Sequence, residues 1–268
     1  MGRPKVSTAS VPKQRAGKAE NLASYVYGIV PADLKSPPET EGLGEPAGKV
    51  RLVRHGEIAA LVSDVDAGEP LGRPGDYYAH ERLLDATAAK SPVLPFRFGA
   101  VLSDADAVVR ELLEPHHDEF SAALRELEGM AEFIVRGRYV ERALLSEILA
   151  ESPEAESLRR LIRGRDEMAT RDERIRLGEI VAESIEAKRD MDTQLLVDGI
   201  SGHYEMAVVR QPTHEQDAVH VALLVETGRQ RELEETLTAF GERWEGRVDL
   251  RLLGPLAPYD FVTTQQEV

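Results

Sequence analysis

Ala218-Val219-His220-Val221-Ala222-Leu223-Leu224-Val225-Glu226 is a long apolar run closed by a charged residue, and it reads as a strand. A second strand, His203 to Arg210, precedes it across a short polar connection. Downstream, Arg229 to Gly241 has helical character and Arg247 to Leu253 reads as a final strand. Upstream, Ala131 to Val135 is a strand, and Tyr139 to Ala150 is a short helix that ends before Pro153. The order β-α-β-β-α-β is that of a ferredoxin-like domain. Between its first helix and its second strand lies a charged helical stretch, Pro153 to Leu196, larger than the minimal unit needs. Leu177, Ile180, Val181 and Ile185 keep an apolar stripe there, while Arg174, Glu179, Glu183 and Lys188 are expected to face outward. Gly164 and Gly178 break any heptad, so the stretch reads as a helical hairpin packed on its own sheet, not a coiled-coil arm.

Gly129 ends the half that comes before. That half opens on Ser24-Tyr25-Val26-Tyr27-Gly28-Ile29-Val30-Pro31, a β-branched and aromatic strand. A long Pro/Gly/Glu-rich loop, Ala32 to Lys49, follows; its length marks it as mobile or functional. Val50 to Arg54 and Glu57 to Val62 form a hairpin about His55-Gly56. Asp66 to Asp76 is a second loop, and Tyr77 to Ala89 a helix with His80 beside its apolar face. Val93 to Leu102 reads as a strand that Pro95 demotes to an edge or a bulged start. Asp104 caps a helix running to Leu127. The expected fold is therefore α+β with two small domains, residues 23–128 and 129–268. The second is ferredoxin-like, with a helical insertion over about 139–198. Residues 1–22 read as a disordered basic leader, with Arg3, Lys5, Lys13, Arg15 and Lys18 against Glu20.

Two short segments attract attention as contact sites. In Leu94-Pro95-Phe96-Arg97-Phe98-Gly99, strand alternation puts Phe96 and Phe98 on one face and Arg97 on the other, where it is expected to find a carboxylate or carbonyl. In Gly254-Pro255-Leu256-Ala257-Pro258-Tyr259-Asp260-Phe261-Val262 the prolines forbid a helix. This segment reads as an extended strap with Tyr259 and Phe261 on one face, packed on the C-terminal sheet. Phe96, Arg97, Phe98, Tyr259 and Phe261 are the candidate partner-binding residues.

The chain has 268 residues, 42% hydrophobic and 30% charged, which is a globular composition. Its net charge of −15 disfavours binding of nucleic acid by the folded part. With no cysteine it has no disulfide, no thiolate metal site and no cysteine nucleophile. No apolar run reaches membrane-spanning length, so no membrane partner is expected. Gly42-Leu43-Gly44-Glu45-Pro46-Ala47-Gly48 has the wrong spacing for a nucleotide loop, and Gly199-Ile200-Ser201-Gly202-His203 lacks a nucleophile elbow. His116-His117-Asp118-Glu119 reads as a solvated helix face, because adjacent helical residues point apart. Trp244 reads as a core cap. No carboxylate pair stands out in an apolar setting, as general-acid chemistry would require. No catalytic residue, cofactor or metal is expected.

Four segments in order, Tyr25-Val26-Tyr27-Gly28-Ile29-Val30, Arg54-His55-Gly56-Glu57-Ile58-Ala59-Ala60-Leu61-Val62-Ser63, Leu94 to Gly99 and Gly254 to Phe261, make the chain resemble the GvpF/GvpL family of gas vesicle proteins. The resemblance covers roughly Ala23 to Val262. It implies a noncatalytic minor vesicle component, cytoplasmic and vesicle-associated. Its implied partners are the major shell protein, whose aggregation it would prevent during nucleation, and other vesicle accessory proteins. Two other readings stay open on the residues alone: a small-ligand regulatory module of tandem ferredoxin-like domains, and an enzyme with a dispersed site.

Overall fold

The computed structural model describes residues 22–44 and 47–262. The basic leader therefore lies outside the described residues, save Leu22, which already belongs to the first strand. In the first half, β1 (Leu22–Pro31), β2 (Arg51–His55) and β3 (Ile58–Asp66) pair antiparallel in the order β2-β3-β1. The expected hairpin turns at Gly56, whose φ of +58° suits glycine.

A bulge between Val26 and Gly28 shifts the phase of β1. Tyr25, Tyr27 and Val30 face one cluster while Val26 and Ile29 face another. In β3, Ala59, Leu61 and Val65 alternate against Ile58, Ala60 and Val62 in the same way. Sheet 1 is thus buried on both faces, which is why β1 reads as an unbroken apolar run. Helix α1 (Pro74–Ala88) covers the first face with Leu83, Leu84 and Ala88. It starts inside the expected loop, with Pro74 in the first turn, and the Asp76 side chain accepts from the Gly72 and Arg73 N–H groups.

Two expectations for this half are corrected. The strand expected over Val93 to Leu102 is two short pieces, β4 (Leu94–Pro95) and β5 (Val101–Leu102), which pair with different stretches of β1. Gly99, at φ +108°, lies in the bend between them. The helix expected from Asp104 to Leu127 is also interrupted. Asp104 does cap its start, accepting from Ala107 N–H at 2.7 Å. After α2 (Ala105–Ala107) the chain is π-helical over Val108–Leu113, and α3 (His117–Glu126) follows. Val108, Leu113, Phe120 and Leu124 cover the second face of sheet 1.

The second half follows the expected order: β6 (Met130–Tyr139), α4 (Glu141–Glu151), α5 (Pro153–Ile162), α6 (Arg171–Gly199), β7 (Met206–Val209), β8 (Asp217–Glu226), α7 (Gln230–Arg243) and β9 (Val248–Leu256). Sheet 2 runs β7-β8-β6-β9, antiparallel throughout. One face is covered by Leu144 and Ile148 of α4, Leu196 of α6, and Leu233, Leu237 and Phe240 of α7. Trp244 caps this core, edge-on to Phe240 at 5.6 Å. Helices α5 and α6 pack as the expected hairpin, and α6 returns along β8. Lys188 does not face outward: its ammonium donates to Glu147 and Glu151 at 2.7 and 2.6 Å. Leu224 of β8 joins the second-face cluster of sheet 1, so the two sheets meet there.

Candidate functional site

The face of sheet 1 beneath α1 carries a neutral hydrogen-bond network. Phe96 carbonyl can only accept, so His80 Nε2–H donates to it at 3.0 Å and Nδ1 is left to accept from Tyr25 Oη at 2.9 Å. Gly99 N–H donates to Tyr25 Oη at 3.2 Å. Next to it, Tyr27 Oη accepts from Leu43 N–H and bonds Ser63 Oγ, both at 2.8 Å. Burial lowers the His80 pKa and raises those of both tyrosines, so all three stay uncharged. The network pins the loops holding Leu43 and Phe96–Gly99 onto the sheet. Leu43 is a buried anchor, which argues against free mobility of its part of the long loop.

The candidate contact residues fall differently from expectation. Phe96 and Phe98 do not share a face. Phe96 is buried in the second-face cluster, 6.2 Å from Phe120. Phe98 packs on the first face, stacked on Tyr77 at 4.2 Å and near Tyr25 at 5.7 Å. Alternation fails because these residues lie in the bend between β4 and β5, not in a strand. Arg97 is exposed, and among the described residues it has no hydrogen bond or ion pair. Tyr259 and Phe261 also part: Tyr259 joins the first-face cluster and Phe261 the second. Turn bonds from Tyr259 N–H to Ala257 carbonyl and Phe261 N–H to Pro258 carbonyl abolish the extended geometry. Beyond Leu256, where β9 ends, the aromatics of the strap pack on sheet 1, not on the C-terminal sheet. The two candidate segments do converge, each placing one aromatic on either face of sheet 1.

Near the end of β9, Gly254 packs against Phe133 and the Glu132 carbonyl. Its φ is +142°, and a Cβ there would lie 2.5 Å from Phe133 Cδ1, so only glycine fits. Beyond it the strap is fastened by acids. Ala257 N–H donates to Asp85 Oδ1 at 2.9 Å and Asp260 N–H to Glu132 Oε2 at 3.0 Å. Arg210 Nε lies 3.2 Å from Asp260 Oδ2. A carboxylate pair in a buried setting therefore exists, contrary to the sequence reading. Glu132 and Asp260 are remote in sequence, which hid the pair; the one signal was a lone acid in the apolar run of β6.

At the root of the helical hairpin the network is ionic. Arg247 donates to both oxygens of Asp192 at 3.0 and 2.8 Å and to Glu147 at 2.8 Å, and Tyr139 Oη donates to Asp192 at 2.6 Å. These bonds tie β6, α4, α6 and the start of β9 together. Hydrogen bonding from Arg247 holds the Glu147 carboxyl below its usual range, and burial raises the Tyr139 hydroxyl.

Two surfaces remain open. Strand β7 pairs only with β8, and Met206 and Val209 on it are 53% and 62% exposed. Arg210 N–H donates inward to His220 carbonyl, so by ladder alternation Val209 N–H faces the free edge. Separately, a groove of about 610 Å³ between the Pro31–Ser36 loop and α3 has Lys35, Lys90 and Arg125 among its lining residues. The His116–Glu119 run makes local pairs, His116 with Glu119 and His117 with Asp118, while His117 Nε2 approaches Glu57 N–H at 3.4 Å. Among the described residues, no group of acids and histidines has metal-site geometry and no helix is long and apolar enough to cross a membrane.

The sequence profile of the family described as "Gas vesicle synthesis protein GvpL/GvpF" matches residues 23–263. A gas vesicle protein F from a Streptomyces species is 33% identical over 246 residues, covering 90% of this chain and 100% of the relative. A gas vesicle protein L from the same organism is 31% identical, covering 91% and 94%. In fold, the chain is similar to the crystal structure of GvpF from Anabaena, with a TM-score of 0.75 at 20% identity over 90% of this chain and 98% of that one. The GvpF structure from Microcystis aeruginosa gives 0.69 at 19%, covering 89% and 98%.

Proposed function

The chain belongs to the gas vesicle GvpL/GvpF family, and from that premise we propose that it is a noncatalytic assembly protein that binds the major shell protein and keeps it from aggregating during nucleation. The observation that carries this reading is the family match over nearly the whole chain. Physics makes the role coherent. A shell subunit must present an apolar face to gas and free strand edges to its neighbours, and before assembly both are aggregation hazards. An acidic adaptor with an open edge can cap such a subunit and keep the pair dispersed. The free edge of β7, with its exposed Met206 and Val209, supports that mode by offering unpaired backbone groups beside apolar side chains. The body of the chain would then act in the cytoplasm at the growing vesicle, alongside other vesicle proteins.

Co-expression tests the proposal. The shell protein should stay in the soluble fraction with this chain and precipitate without it. Val209→Pro removes the outward N–H while sparing the bond to β8, and should abolish the protection without unfolding the protein. Equal precipitation with and without the native chain would end the escort reading; protection undiminished in the Val209→Pro variant would move the contact off β7.

A second reading has one observation in its favour. The groove, whose lining sets Lys35, Lys90 and Arg125 against Asp33, Glu57 and Glu128, has the size of a small-ligand site. Thermal-shift screening against small polar metabolites should raise the melting temperature if the groove is such a site, and leave it unchanged if it is not.

A further inference from the structure

Leu256, the last residue of β9, still pairs with Glu132, and beyond it the strap is held by carboxylates. Asp85 on α1 takes Ala257 N–H and Glu132 on β6 takes Asp260 N–H. Glu132 is 2% exposed and stands opposite Leu224 in the sheet ladder. The charged and titratable groups around this seat come from four elements. Asp260 and Tyr259 lie on the strap and Arg210 follows β7; Asp85 and Glu81 on α1 and Tyr25 on β1 face Tyr259. Arg210 is the one cation in that set, and it is committed to Asp260. A negative charge on Glu132 would therefore sit beside Asp260 in apolar surroundings without a cation of its own.

We infer that the strap is a proton-dependent latch between the two sheets, closed while Glu132 carries its proton and released as that proton is lost. With the proton in place, Glu132 accepts Asp260 N–H through one oxygen and can donate its O–H to the Asp260 carboxylate, which stays paired with Arg210. Without it, two carboxylates oppose each other, with the strap amide on Glu132 and Arg210 committed to Asp260. Burial pushes the Glu132 carboxyl up to about 8, against the Asp260 N–H, which favours the charged form; the Asp260 charge adds to the rise and Arg210 opposes it. Burial pushes Asp85 in the same direction. The sign follows. The closed latch holds a proton that an open one, with a carboxyl at the ordinary 4.5, has released. Closure is therefore fully favoured at or below 4.5 and weakens as pH rises toward about 8. Release would uncover the seat of Tyr259 on one face of sheet 1 and of Phe261 on the other. This inference does not depend on the assembly role.

Amide exchange in the full chain, corrected for intrinsic rates, tests it at Ala257 and Asp260. Protection should fall by about tenfold or more between roughly pH 5.5 and 8.5. Glu132→Gln supplies the same acceptor and a permanent donor, so its strap should stay protected at the higher pH. Carbon-detected titration should place the Glu132 carboxyl midpoint well above that of an exposed glutamate. Equal protection at both pH values, loss of protection in Glu132→Gln parallel to the native chain, or an ordinary carboxyl midpoint would each overturn the latch.

Discussion

The two halves solve the same problem, polar groups inside a core, in opposite ways. Under α1, Tyr25, His80, Tyr27 and Ser63 satisfy one another and the backbone without a formal charge. Beside α4 and α6, Tyr139, Asp192, Arg247, Glu147 and Lys188 do so with full charges. The neutral network sits on a sheet covered on both faces, where an ion would be heavily desolvated. The ionic network sits at the rim of sheet 2, where Arg247 and Glu147 keep partial contact with water. Burial depth thus selects the chemistry, and the halves should differ in what destabilises them.

Ending the chain after Gly254 should have the largest effect. It removes Ala257, Tyr259, Phe261 and Val262, all packed on sheet 1, at a cost on the order of 3–5 kcal/mol in urea unfolding. Exchange protection should drop in β1 and β3 well before β8; an even loss across both sheets would break the comparison.

Asp192→Ala should cost about 3 kcal/mol, because it leaves the Tyr139 hydroxyl without an acceptor and Arg247 with Glu147 alone. The loss should shrink in high salt, which screens the native network.

His80→Leu should cost about 1–3 kcal/mol by stranding Tyr25 Oη and the Phe96 carbonyl, with no salt dependence. Acid sharpens the contrast. The His80 pKa is depressed from 6.5 in the fold, so its contribution is full above 6.5 and is lost as pH falls below it. Glu147 is depressed from 4.5, so the ionic root holds until pH falls below 4.5. The stability difference between the native chain and His80→Leu should therefore begin to shrink at a higher pH than the difference between the native chain and Glu147→Gln. Simultaneous decline would show that the halves are not distinct in this respect.

Arg97→Ala is expected to change stability by no more than about 0.5 kcal/mol, since the side chain is exposed and without a partner among the described residues. A large loss would mean that the bend between β4 and β5 depends on it.

What could be read from the sequence followed from regular periodicity. The hairpin about Gly56, the buried run of β1 and the β-α-β-β-α-β order of the second half all rest on repeats of two or of 3.6 residues. The candidate site was legible as a pair of segments but not as a geometry. Phe96 to Gly99 and Ala257 to Val262 are bends and turns, where alternation carries no information about facing. Seen in sequence, His80 was a histidine beside an apolar helix face; its role required knowing that Tyr25 and the Phe96 carbonyl converge on it. Glu132 and Asp260 meet only because the chain leaves sheet 2 after Leu256 and bends back past β6, a contact that no local pattern encodes.

That turn also fixes the order of events in synthesis. Residues 257–262 leave the ribosome after everything they close upon, including Tyr25 near the start of β1. Sheet 2 can complete its helix-covered core before they emerge, whereas sheet 1 must wait with part of both faces open. The half made first is the half finished last, and during that interval its aromatic seats are available to any other chain nearby.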